Sequence, residues 1–213
     1  MWSATTVHEP ETERIREGLV ALQGAGDFAA SFDVAAMGLD VDIEGVGACR
    51  LPPTPAELQQ LLAQAEPSPF GFRDQTLHDP SVRASLEIPA SRVHLDPERW
   101  AARLQRGIDH LVQSLGFPKD VEVRASLQKL VLYEAGGFFA PHRDTERDPS
   151  MWGSMVVVLP SAYEGGVMVV GHAGENKTFD TAPDSNRTVS LRSKVHLESH
   201  LLRGPMAARR ESS

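Results

Sequence analysis

Cysteine is nearly absent: Cys49 is the only one in 213 residues, so no intrachain disulfide can form and a reducing compartment is expected. Cations are outnumbered, with 21 Lys and Arg against 29 Asp and Glu. The resulting formal charge of −8 argues against nucleic acid as a partner, because neutralising phosphate takes clustered basic residues. Aromatic side chains make up only 6% of the chain, and Tyr133 and Tyr163 are its two tyrosines. Long apolar runs are missing as well. The longest, Met155 to Leu159 with its neighbours, falls far short of the roughly 18 residues of a membrane span, so no membrane is expected as a partner. The first residues, Met1 to Glu13, have neither the basic nor the apolar region of a secretory signal, which points to a cytoplasmic or nuclear location.

What is present suffices for one core, since 41% of residues are hydrophobic. Ile15, Leu19 and Leu22 have helical spacing over 11–23, weakened by Gly18 and Gly24. Thr54-Pro55-Ala56-Glu57 is a capping box with proline at the first helical position, and predicts a helix ending near Glu66, before Pro67. Asp96-Pro97-Glu98 opens another, in which Trp100, Leu104, Ile108, Leu111 and Leu115 form an apolar stripe that needs a sheet to cover it. From Val121 onward the pattern becomes short apolar runs, such as Met155 to Leu159, Val167 to Val170 and Val189 to Leu191, separated by Gly, Pro, Asp and Asn. Helices followed by strands predict an α+β domain with an antiparallel sheet, most simply a sandwich or jelly roll backed by helices. The expected divisions are an N-terminal extension with the first strands (1–50), a helical support region (51–120), a strand-rich core (121–203) and a disordered tail (204–213).

One segment carries chemistry. The run Val131 to Leu132 breaks at Gly136-Gly137 and leads to His142 and Asp144. Residues i and i+2 of a strand project the same way, so an imidazole and a carboxylate at that spacing can grip one ion. An open site of two histidines and one carboxylate is the donor set of non-haem Fe(II) oxygenases, so one further histidine is required downstream.

The text around the pair resembles the 2-oxoglutarate- and Fe(II)-dependent dioxygenases, in particular the prolyl 4-hydroxylase-like branch. The matching residues are Leu132-Tyr133, Gly136, Phe138-Phe139, His142, Asp144-Thr145, the strand Gly153 to Pro160, and Glu164-Gly165-Gly166, within roughly residues 121–192. The resemblance implies a double-stranded β-helix with N-terminal supporting helices. It also implies iron held by His142 and Asp144, Tyr133 meeting the 2-oxoglutarate, and Phe139 beside a substrate channel. O₂ would be the second cosubstrate, with ascorbate as a further cofactor of the family. The branch includes protein prolyl hydroxylases, which points to a polypeptide substrate.

The distal part departs from that family's pattern. Where the third ligand is expected the chain reads Lys194-Val195-His196-Leu197-Glu198-Ser199-His200. His200 is the first choice for the ligand and His196 the second. Arg210, ten residues beyond His200, is the candidate anchor for the cosubstrate's far carboxylate, which an Arg fork matches. Residues 206–210 lack strand character, so the closing strand and anchor are expected to be absent or altered, as in a truncated or alternatively spliced product. That leaves a second expectation: a catalytically impaired jelly-roll module serving protein interaction. Plainer roles stand beside the sharp ones. His142 with Asp144 would suit a loop histidine hydrogen-bonded to a nearby carboxylate, His200 a divergent strand or helix before a frayed tail, Tyr133, Phe138 and Phe139 the core, Arg210 a solvated end, and the glycines tight turns.

Overall fold

Thr54 begins a helix as its neighbours require. In the computed structural model its hydroxyl accepts from the Glu57 amide at 3.3 Å, and its own amide donates to the Glu57 carboxylate at 2.7 Å. The box launches α1 (Pro55–Gln64). Asp96 caps α2 (Pro97–Ser114) by accepting from the Glu98 and Arg99 amides. Each cap satisfies amides that the first helical turn leaves without partners. The structure describes residues 2–5, 26–35, 39–72, 75–117, 121–144, 151–182, 188–195 and 200–203, and of 2–5, 72, 188–195 and 200–203 the backbone alone. The helix expected over 11–23 lies outside the described residues.

Strands β1 (Trp2–Thr5), β2 (Ala29–Ala35), β3 (Asp40–Ile43) and β4 (Gly47–Arg50) precede α1. Between the helices come β5 (Glu66–Pro67), β6 (Phe70–Phe72), β7 (Gln75–Leu77), β8 (Arg83–Ala84), β9 (Leu86–Pro89) and β10 (Val93–His94). After α2 follow β11 (Arg124–Leu127), β12 (Lys129–Leu132), β13 (Phe138–His142), β14 (Met151–Val158), β15 (Met168–His172), β16 (Glu175–Phe179), β17 (Thr188–Val195) and β18 (His200–Arg203).

These strands form antiparallel sheets. One five-stranded sheet has the order β11-β1-β14-β17-β2, and another has β16-β15-β18-β13-β8. Smaller sheets β10-β3-β4, β12-β9-β5 and β6-β7 accompany them. The fold is thus mixed α and β, mostly strand, with two α-helices among the described residues. The described sheets do not close on themselves. Among the described residues no helix is long and apolar enough to cross a membrane.

The stripe on α2 finds the sheet that it needs. The helix packs against β2, and Trp100, Leu104, Ile108 and Leu111 join Val34, Trp152 and Met155 in the main core. Trp100 is 3% exposed, and its indole N–H donates to the Asp40 carbonyl at 2.9 Å, which removes the cost of burying that polar atom. Each such apolar side chain contributes about 1.5–3 kcal/mol by leaving water. A smaller cluster joins the two large sheets: Ala29 and Val156 from one meet Met168, Val170 and Phe179 from the other.

Candidate functional site

A bulge shapes the site. On the β13–β18 ladder Phe139 is opposite Leu202 and His142 is opposite His200, so three steps along β13 match two along β18. The extra residue falls at Ala140-Pro141, where a proline costs nothing because the ladder is already interrupted. In a regular strand Phe139 and His142 would face opposite sides. The bulge brings them together, and their rings stack with centroids 3.5 Å apart and planes 14° from parallel.

The bulge also sets the imidazole. His142 Nδ1 lies 2.9 Å from the Ala140 carbonyl, which can only accept, so Nδ1 carries the hydrogen. That leaves Nε2 facing Asp144 Oδ1 at 3.3 Å, with the two side chains 16% and 10% exposed. His142 Nε2 and a carboxylate oxygen thus converge on one point. Such a pair suits a cation between them, and a donated Nδ1–H is the usual partner of an Nε2 ligand.

His200 enters by register. On the backbone it is directly opposite His142 on one side and Val170 on the other, and residues directly opposite share a face of the sheet. His196 and Arg210 lie outside the described residues. Among the described residues no group of three or more His, Cys, Asp or Glu side chains is gathered for a metal.

Tyr133 is reached through a glycine turn. Gly136 has φ of +79°, and the Gly137 amide donates to the Glu134 carbonyl at 2.8 Å. A Cβ on Gly137 would stand 2.9 Å from the Ala84 carbonyl and 3.2 Å from the Tyr133 ring, so glycine lets β8 close against β13. Part of the Tyr133 ring remains exposed while its hydroxyl is enclosed, hydrogen-bonded to Ser85 and Arg83. Burial of that hydroxyl pushes its pKa up to about 12, against the opposing pull of Arg83.

Arg83 is the main residue that the sequence did not reveal. Opposite Phe139 on the β8–β13 ladder, it is 8% exposed. Its Nε donates to Ser85 Oγ at 2.9 Å, one terminal nitrogen donates to the Pro69 carbonyl at 2.6 Å, and the other stands 3.7 Å from Glu87. Glu87 in turn accepts from Lys129 Nζ at 2.6 Å. The Arg83 guanidinium lies 4.4 Å from the Phe139 ring centre, a cation–π contact, so Phe139 touches both Arg83 and His142. Burial lowers the Arg83 pKa, opposed by the nearby Tyr133, Glu87 and Asp144.

A local signal for this network does exist. Over 82–88 apolar Val82, Ala84, Leu86 and Ile88 alternate with Arg83, Ser85 and Glu87, which is a strand signature. Alternation ordinarily puts the polar face in water, yet here Arg83 and Ser85 are buried. Nothing local marks that inversion.

No family model matches the chain, and no curated protein does. The residues of the site offer two converging donor atoms, a second histidine at the facing register position, an aromatic ring packed on His142, and buried hydroxyl and cationic groups nearby.

Proposed function

We propose that this chain is an Fe(II)- and 2-oxoglutarate-dependent dioxygenase acting on a polypeptide substrate. The observation that carries the reading is the convergence of His142 Nε2 and Asp144 Oδ1 at 3.3 Å, with Nδ1 tied to the Ala140 carbonyl. Two oxygen or nitrogen donors on one side of a site, with a second imidazole expected, match a ferrous ion held on one face. The wiring supports the accompanying jelly-roll reading. From β13 to β18 the chain passes repeatedly between the two large sheets, and these meet at Val156, Met168 and Val170.

In this proposal His142, Asp144 and His200 hold the metal. Fe(II) bound there supplies the activation of O₂, so that 2-oxoglutarate, O₂ and a substrate C–H give succinate, CO₂ and the hydroxylated product. The protein positions and shields. Phe139 covers one face of His142 and keeps water from it. Tyr133, whose hydroxyl is bonded to Ser85 and Arg83, would meet the cosubstrate by exchanging one of those partners for it, and Arg210 anchors the far carboxylate. Ascorbate would keep the metal ferrous.

The test is an anaerobic Fe(II) titration with and without 2-oxoglutarate, watching for the weak visible charge-transfer band of the chelated complex. The proposal expects the band in the wild type and its loss in His142→Ala and His200→Ala. A wild type without the band would overturn the enzyme reading and leave a jelly-roll module for protein contacts. A band that survives His200→Ala would remove that residue from the ligand set.

A further inference from the structure

The strand from the start of the sequence is seated inside a sheet built from later parts of the chain. β1 is hydrogen-bonded on both sides, to β11 and to β14. The other members of that sheet come from 29–35 and 124–195. Without β1, two strand edges would stand open in mid-sheet, and such edges accept any compatible extended segment.

The register shows what is compatible. Trp2 is opposite Leu127 and Met155, Ser3 is opposite Ser126 and Ser154, and Ala4 is opposite Ala125 and Gly153. Large apolar positions thus meet large ones, serine meets serine, and the small residue meets the smallest. Ser154 is 4% exposed, so this part of the slot is closed to water. The pairing with β14 shifts register between Ala4 and Thr5, a break that an unrelated strand would have to reproduce.

Connectivity does not oblige β1 to fill its own slot. Residues 6–25 separate it from Gly26, and that length of chain can reach about 70 Å, well beyond the breadth of a domain of this size. We propose that the slot between β11 and β14 is an interface for a second copy of this chain, with the two copies exchanging β1 reciprocally. Exchange preserves every contact of the ladder, so only linker and association entropy separate the two arrangements. The same-chain strand has an effective concentration on the order of millimolar, so exchange becomes prominent when molecules fold together at high concentration.

The test uses Ser3→Cys and Ser126→Cys proteins, both carrying Cys49→Ala, refolded together at high concentration under reducing conditions and then oxidised. Directly opposite residues of an antiparallel pair lie within disulfide reach. The proposal expects a covalent heterodimer on a non-reducing gel from the mixture and none from either protein alone. It is overturned if the mixture gives no heterodimer while a single chain bearing both substitutions closes its internal disulfide, since β1 then seats only at home. It is equally overturned if neither forms a disulfide, since β1 then does not occupy the slot.

Discussion

The two five-stranded sheets have the same strand count and opposite characters. The sheet containing β14 is backed by α2 and draws on Trp100, Ile108, Leu111, Trp152 and Met155, an apolar core with few charges. The sheet containing β13 has a small apolar cluster around Met168 and Val170, and beside it a buried network of Arg83, Glu87 and Lys129. The difference separates two tasks. The first sheet is packed through the hydrophobic effect, whereas the second buries polar groups beside Phe139, the ring that stacks on His142.

Four substitutions or conditions test that division, in decreasing order of effect. Trp100→Ala should remove about 3–5 kcal/mol, read as a lower denaturant midpoint, while molecules that remain folded keep the wild-type metal stoichiometry. Arg83→Leu strips Tyr133, Ser85 and Glu87 of a charged partner and should cost about 1.5–3 kcal/mol. It should also weaken metal binding, because Phe139 loses the cation packed on it. An Arg83→Leu protein with unchanged metal affinity would break the proposed tie between the network and the site.

A smaller loss should appear at alkaline pH. The folded Tyr133 pKa of about 12 exceeds the ordinary value of 10.0, so its contribution is complete below pH 10 and lost as pH rises towards 12. Stability measured across that window should fall, and Tyr133→Phe should remove the fall along with the tyrosinate absorbance that develops near pH 12. The mildest change is Thr54→Ala, which removes one half of the α1 capping box and should cost about 1 kcal/mol with no effect on the site.

What the sequence made legible was local. The α1 and α2 caps are encoded within four residues, and both appear as expected. The stripe from Trp100 to Leu111 announced a buried helix face, and α2 packs as the stripe demands. The strand spacing expected for His142 and Asp144 does not apply as read, because β13 ends at His142 and Asp144 lies just beyond it, although the two side chains stand 3.3 Å apart.

The remainder depends on pairings between distant segments. Arg83 reaches Phe139 only because β8 aligns with β13, and Glu87 reaches Lys129 only because β9 lies beside β12. The bulge at Ala140-Pro141 is defined by where β18 pairs, so no reading of β13 alone yields the stack of Phe139 on His142. Apart from the alternation over 82–88, the strands between the helices are two to four residues long, too short for periodicity to identify. The seat of β1 is set by the edges of β11 and β14, which no pattern in Trp2–Thr5 discloses.

The central claim is that His142 and Asp144 form two teeth of a metal site. Its most direct test is anaerobic Fe(II) binding followed by calorimetry for the wild type and for His142→Ala. One ferrous ion should bind per wild-type chain, and removing the imidazole should lower the affinity at least tenfold. A His142→Ala protein that binds one Fe(II) as tightly as the wild type would contradict the claim.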